Sequence, residues 1–182
     1  MVPAAGRSAR FGAMKLLADV GGRPLIERTV AALLDAGVAR VVVVSRDAST
    51  FSGVGLSDPR VAIVVNAEPE RGMFSSIQVG LAAAAGRVVL VLPADMPFVS
   101  AATVAAIAGR ASATGSTVVP VHAGRRGHPI AIPRALCDAL LALPPTATLK
   151  DGLAALSPAT DGLDVDDPGV LRDVDVPGDL VP

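Results

Sequence analysis

The chain has 182 residues, with 16 Lys or Arg against 17 Asp or Glu and a formal net charge of −1, so no global basic field draws it to nucleic acid or anionic lipid. Half of its residues are apolar, yet it holds four Phe and no Trp or Tyr. That leaves an aliphatic core and removes the aromatic platforms of a single-strand binder. The length fits one domain over residues 1–182, with a radius of gyration of about 16 Å and roughly 70% of the unfolded chain's surface buried. The single cysteine, Cys137, excludes an internal disulfide and a thiolate zinc cluster; its apolar, helix-like surroundings predict a buried, inert thiol. No signal-peptide pattern precedes the first loop and no run of about 18 apolar residues occurs. The expectation is a soluble, cytoplasmic protein with no membrane partner.

In chain order, the first stretch is MVPAAGRSARFGAMKLL (Met1 to Leu17). A scrap of buried strand, Met1 to Pro3, leads into a turn through Ala4, Ala5 and Gly6. A buried first strand usually has about five or six residues, so either this strand is short or the true start lies upstream. The turn presents Arg7, Ser8, Arg10, Gly12 and Lys15. Small residues let the main chain approach a ligand closely and aim its N–H groups at anionic oxygens, and three permanent cations within nine residues add charge beside them. A triphosphate suits such a loop. It is not a P-loop, because five residues separate Gly6 from Gly12 and Lys15 follows three places later. The dinucleotide fingerprint is absent as well. A basic surface loop rich in small residues is the competing explanation.

The rest alternates between helix and strand. Pro24 to Gly37 predicts a helix with Pro in its first turn and a glycine cap. Arg40 to Ser45 (RVVVVS) is a continuous β-branched run, as in a strand buried on both faces, and Val61 to Val65 (VAIVV) is another. Met73 to Gly86 reads as a helix and Arg87 to Leu92 as a strand. A helix follows over Ser100 to Ala111 with Ser100 as its cap. Ser116 to Val121 and His128 to Pro133 are strands around a glycine-basic turn. Helices follow over Pro133 to Leu143 and Leu149 to Leu156, and the tail VLRDVDVPGDL closes the chain. Alternation of this kind predicts an α/β fold with a mostly parallel central sheet covered on both faces. In such sheets, ligands sit beyond the carboxyl ends of the strands. The Ala4–Lys15 loop, Asn66 and LPADMPFV (Leu92 to Val99) all fall at such ends. Asp95 would project there as a hard oxygen ligand suited to magnesium; capping of the next helix is the competing role, for which Ser100 is better placed.

GRSARFGAMK, GMFSSIQVGL (Gly72 to Leu81), LPADMP, RRGHPIAI (Arg125 to Ile132) and DVDVPGDL (Asp173 to Leu180) occur in the order found in molybdenum cofactor nucleotidyltransferases. The chain resembles the MobA-like NTP transferase family over nearly its whole length, and its cytidylyltransferase branch most. The resemblance implies a three-layer Rossmann-like nucleotidyltransferase fold. It also implies Mg²⁺-dependent transfer of CMP or GMP from CTP or GTP to the terminal phosphate of a molybdopterin-type acceptor, with pyrophosphate released. A molybdoenzyme or its chaperone is a further partner so implied. The residue types suit that chemistry, since the acceptor phosphate is itself the nucleophile and the protein has to hold two anions together. Lys15 and Arg10 would clamp the triphosphate, with metal on Asp95 and main-chain donors at Gly6 to Ser8.

Other positions keep two readings. Gly72, Ser75 and Ser76 surround a helix start that could meet the nucleotide or the acceptor phosphate, or simply be capped and solvated. Asn66 either reads base or ribose or ends its strand. His128 matches the family's Gly-His-Pro on the acceptor side, or orients a loop; His122 is expected at the surface. Asp175 matches the family's Asp-x-Pro tail as a second metal contact, or is a turn carboxylate. Relatives using GTP tend to carry Gly-Gly before Arg-Ser, and those using CTP Ala-Gly. Pro3-Ala4-Ala5-Gly6 therefore favours CTP, the Ala5 methyl narrowing the base slot. Phe11 stands where Met is usual and Pro3 where Leu is typical. The second departure is shared with the cytidylyltransferase of methylerythritol isoprenoid synthesis, a rival with the same chemistry. A relative that binds nucleotide without transfer and a redox offshoot are rivals of other classes.

Overall fold

The computed structural model describes residues 1–6, 15–144, 146–156 and 160–180. Eight strands run as β1 (Val2–Pro3), β2 (Val41–Ser45), β3 (Val61–Val65), β4 (Val88–Val91), β5 (Thr117–His122), β6 (Arg125–Arg126), β7 (Ile130–Pro133) and β8 (Thr160–Asp164). Five α-helices sit between them: α1 (Leu25–Asp35), α2 (Met73–Ala83), α3 (Ala101–Thr114), α4 (Arg134–Leu141) and α5 (Leu149–Leu156).

Strands β1, β2 and β3 pair in parallel. The Met1 nitrogen donates to the Leu90 carbonyl and Leu92 N–H donates to the Met1 carbonyl at 3.1 Å. This alternation ties β1 in parallel to β4. Beyond β4 comes antiparallel β7, then β5, then β8 parallel to β5. The sheet therefore reads β3-β2-β1-β4-β7-β5-β8 with β7 reversed. Its mostly parallel character matches the pattern in the sequence.

Successive β2 side chains point to opposite faces, and each face meets its own helices. Val41 and Val43 share a cluster with Ile26, Val30 and Leu33 of α1 and with Val104 and Ile107 of α3. Val42 and Val44 pack with Phe74, Ile77 and Leu81 of α2 and with Leu140 and Leu153 of α4 and α5. Three layers result. Helix α2 presses closely on the sheet: a Cβ on Gly80 would fall 1.8 Å from Met1 Cε and 3.1 Å from Val44 Cγ2.

Several expectations change in detail. VAIVV is not buried on both faces, because it forms the sheet's edge and leaves Ile63 38% and Val65 45% exposed. The third helix runs to Thr114 and stops at Gly115, whose φ of 68° is the left-handed cap glycine permits. Strand β8 (TDGLD) escaped the sequence reading, and no apolar run marks it. Its place comes from backbone pairing along the edge of β5, with Thr117 opposite Thr160 and Val121 opposite Asp164. Cys137 is fully buried, and burial pushes its thiol pKa up, as an inert core thiol requires. His122 is half-buried, with Nδ1 3.0 Å from the Val165 carbonyl, rather than loose at the surface. Among the described residues, no helix is long and apolar enough to cross a membrane.

Candidate active site

The exits of β1, β2 and β4 lie side by side, because these strands are neighbours and point the same way. A cleft of about 590 Å³ opens there. Ala4, Ala5 and Gly6 line it from the exit of β1, Arg46 from that of β2, and Asp95 from that of β4, together with Lys15. Gly72 and Ser76, from the start of α2, line it too. Arg7, Ser8, Arg10 and Gly12 lie outside the described residues.

Lys15 is the hub. Its Nζ stands 3.0 Å from Asp95 Oδ2 and 3.1 Å from Asp175 Oδ1. Burial works against the charged ammonium, but the two carboxylates outweigh it and hold the Lys15 pKa above its ordinary 10.5. Two carboxylate oxygens thus converge on one point of positive charge. Hard oxygen donors in that arrangement fit a divalent ion that keeps waters and bridges phosphates. Among the described residues no group of three or more His, Cys, Asp or Glu gathers as a self-sufficient metal cage. Asp95 and Asp175 are the two carboxylates beside Lys15 that could hold a metal.

The two carboxylates reach the cleft by different routes. Asp95 follows β4, and its carbonyl accepts from Val174 N–H at 2.9 Å. That bond docks the tail beside it, and buried Val174 packs with Val20 and Leu25. Asp179 Oδ2 accepts from the N–H groups of Asp175 and Val176 at 2.8 and 2.9 Å, fixing the turn that offers Asp175. Helix capping falls to Ser100, as expected: its hydroxyl accepts from Thr103 N–H at 3.2 Å. Asp167 supports the same segment. It accepts from Ser100 N–H and Gly169 N–H, both at 3.0 Å. Burial pushes its pKa up, but bonds from Thr103, Ser100 and Gly169 outweigh that and hold it below 3.8.

Asn66 is turned inward. It is buried, its Nδ2 donates to Ser75 Oγ at 2.9 Å and Ser76 Oγ at 3.0 Å, and its Oδ1 accepts from Glu68 N–H at 3.0 Å. The amide is fully used in tying β3 to the start of α2. Ser75 donates in turn to the Gly72 carbonyl at 2.8 Å. Gly72 holds a φ of 98°, a conformation open to glycine and strained for other residues, just where α2 begins at the cleft. His128 N–H donates to the Val170 carbonyl at 2.9 Å, and its buried Nδ1 has no partner among the described residues. Burial lowers the His128 pKa. This half-buried histidine is not among the residues that line the cleft.

Arg46 was not singled out from the sequence. It directly follows the strand RVVVVS, so the rule that flagged the other strand ends applies to it equally. Its Nη2 donates to the Ala5 carbonyl at 3.2 Å. Asp167 and Asp179 sit in Asp-Pro-Gly and Pro-Gly-Asp turns, which mark bends but not what the carboxylates hold.

A probable molybdenum cofactor guanylyltransferase of Haloferax mediterranei is 35% identical over 122 residues, covering 66% of this chain and 57% of that protein. A molybdenum cofactor guanylyltransferase of Xanthomonas euvesicatoria is 38% identical over 103 residues, covering 56% and 49%. The chain thus spans about half the length of the curated relatives it matches. Among solved structures, a Methanothermobacter nucleotidyl transferase is similar with a TM-score of 0.78 at 27% identity, over 98% of this chain and 91% of that one. Residues 1–160 match the MobA-like NTP transferase domain, and the chain belongs to that family.

Proposed function

We propose that this protein transfers a nucleoside monophosphate from an NTP to the terminal phosphate of a molybdopterin-type acceptor. The observation that carries the reading is the convergence of Lys15, Asp95 and Asp175 beside the Ala4–Gly6 turn. An oxygen of the acceptor phosphate attacks the α-phosphorus, a new P–O bond forms, and the bond to the β-phosphate oxygen breaks to release pyrophosphate. The nucleophile arrives already anionic, so no side chain has to activate it. Lys15 binds phosphate oxygens and offsets charge growing on them. Asp95 and Asp175 would hold Mg²⁺, which supplies further neutralisation when bound. The Gly6 main chain approaches the nucleotide without a side chain in the way, and Gly72 and Ser76 bring the start of α2 to the same space. The names of the curated relatives support the acceptor.

The base has two readings. Ala5, buried in the floor of the cleft, favours the smaller cytosine and hence CTP. The relatives named guanylyltransferases favour GTP. Incubation with Mg²⁺, each NTP in turn and phosphorylated pterin acceptor tests both. Pyrophosphate and a pterin dinucleotide from CTP support the first, and the same products from GTP the second. Release of neither product from any NTP overturns the transfer reading.

A further inference from the structure

We infer that Arg46 is a specificity-determining residue, one that selects NTPs whose base carries an oxygen and a nitrogen acceptor side by side. The inference rests on the nucleotidyl-transfer reading of the cleft and adds a determinant to it.

Sheet order places the residue. Strand β1 lies between β2 and β4, and Arg46 and Asp95 lie shortly beyond the ends of those two flanking strands. Two strand spacings amount to about 10 Å, enough to set a base beside Arg46 while its phosphates lie by Asp95 and Lys15. The Ala5 methyl and the Arg46 guanidinium then belong to the same end of the cleft, as the bond from Arg46 Nη2 to the Ala5 carbonyl requires.

A guanidinium carries five N–H donors in a planar fork. Arg46 spends one on Ala5, and among the described residues it makes no ion pair and no other hydrogen bond. It is half-buried in the cleft wall, where an unspent donor edge is more valuable than in open water. Such a fork binds two adjacent acceptors at once. Guanine presents O6 and N7 in that way, and cytosine presents O2 and N3. Adenine sets the N6 amino donor beside N7, and uracil carries a hydrogen on N3 between its two oxygens. The fork therefore accepts guanine and cytosine and meets a donor on adenine and uracil. Ala5 decides between the accepted pair by size, while Arg46 rejects the other two by hydrogen bonding.

The test is competition binding of CTP, GTP, ATP and UTP to the full chain with Mg²⁺, in the wild type, Arg46→Ala and Arg46→Lys. The wild type should bind CTP or GTP about 10- to 100-fold more tightly than ATP and UTP, the discrimination a bidentate pair gives. Arg46→Ala should bring all four together with ATP affinity unchanged. Arg46→Lys keeps a donor for the Ala5 carbonyl but loses the fork, and should lose discrimination with an unaltered melting temperature. A wild type that binds all four equally, or an Arg46→Ala that weakens all four in proportion, overturns the assignment and leaves Arg46 as a brace for the Ala5 turn. Discriminating binding without pyrophosphate release would sink the transfer reading alone. An unchanged ratio in Arg46→Ala, with transfer intact, would sink the Arg46 role alone.

Discussion

Lys15 and Asp175 lie 160 residues apart in sequence and meet at 3.1 Å, while Asp95 approaches the same ammonium at 3.0 Å from a third element. If Lys15 acts as proposed, replacing it with Ala should lower turnover by about 10² to 10³, the loss expected for one transition-state donor. Turnover near the wild-type value would remove Lys15 from the chemistry. The pH dependence of stability is a separate check. Because the folded Lys15 pKa lies above its ordinary 10.5, its contribution is fully present below that value and is lost as pH rises through the folded pKa. The stability gap between wild type and Lys15→Met, measured by urea denaturation, should be flat at neutral pH and close only in strong alkali. A gap that closes near neutrality would contradict the ion pairs.

How far the residues announced this arrangement varies with the kind of signal. RVVVVS holds four consecutive valines, and β2 is indeed buried throughout. VAIVV carries the same signal but lies at the edge, because strand order depends on which neighbours a strand finds and not on its own composition. Strand β8 held no signal, since TDGLD is placed by main-chain pairing to β5. Asp95 was readable as a carboxylate at the end of an apolar run, and Lys15 as one of three cations in a loop rich in small residues. Asp175 was readable only through the tail's resemblance to a family motif, because no local pattern predicts a contact across 160 residues. Asn66 shows the limit in the other direction: a polar residue ending a strand suits a ligand contact or an internal tie, and only its bonds to Ser75 and Ser76 reveal the tie.

Gly169 is a structural support for the site. A Cβ there would fall 2.1 Å from the Phe98 carbonyl oxygen and 2.9 Å from Asp167 Oδ1, and the backbone carbonyl has no rotamer to escape through. Gly169→Ala should cost about 1–3 kcal/mol of stability through overpacking, read as a lower urea midpoint. It should also lower turnover by shifting the segment that follows Asp95. An unchanged midpoint would show that the close approach at Phe98 is not maintained in solution.

Asp167 predicts an acid limit. Its folded pKa is held below 3.8 by the hydrogen bonds it accepts, so the stability it adds is present above that value and lost as pH falls through the folded pKa. Asp167→Asn, which cannot accept on both oxygens, should be less stable by about 1–3 kcal/mol at neutral pH. The difference should shrink as the wild-type carboxylate is protonated. Equal stability of the two proteins at pH 7 would contradict the bonds to Ser100 and Gly169.

Ala5 predicts a change in base preference with little change in rate. Ala5→Gly removes one methyl from the floor of the cleft, and one methyl discriminates by about 1–3 kcal/mol. The ratio of kcat/KM for CTP over GTP should fall by about 10-fold or more. A ratio that stays constant would free Ala5 of any role in base selection.

The central claim is that Asp95 and Asp175 hold one divalent ion against the nucleotide that Lys15 binds. Manganese can stand in for magnesium, and electron paramagnetic resonance counts the ions bound in the presence of CTP or GTP. The account predicts one nucleotide-dependent Mn²⁺ in the wild type, lost in Asp95→Asn and weakened in Asp175→Asn, with both variants still folded at the assay temperature. Undiminished Mn²⁺ binding in the two folded variants would contradict it.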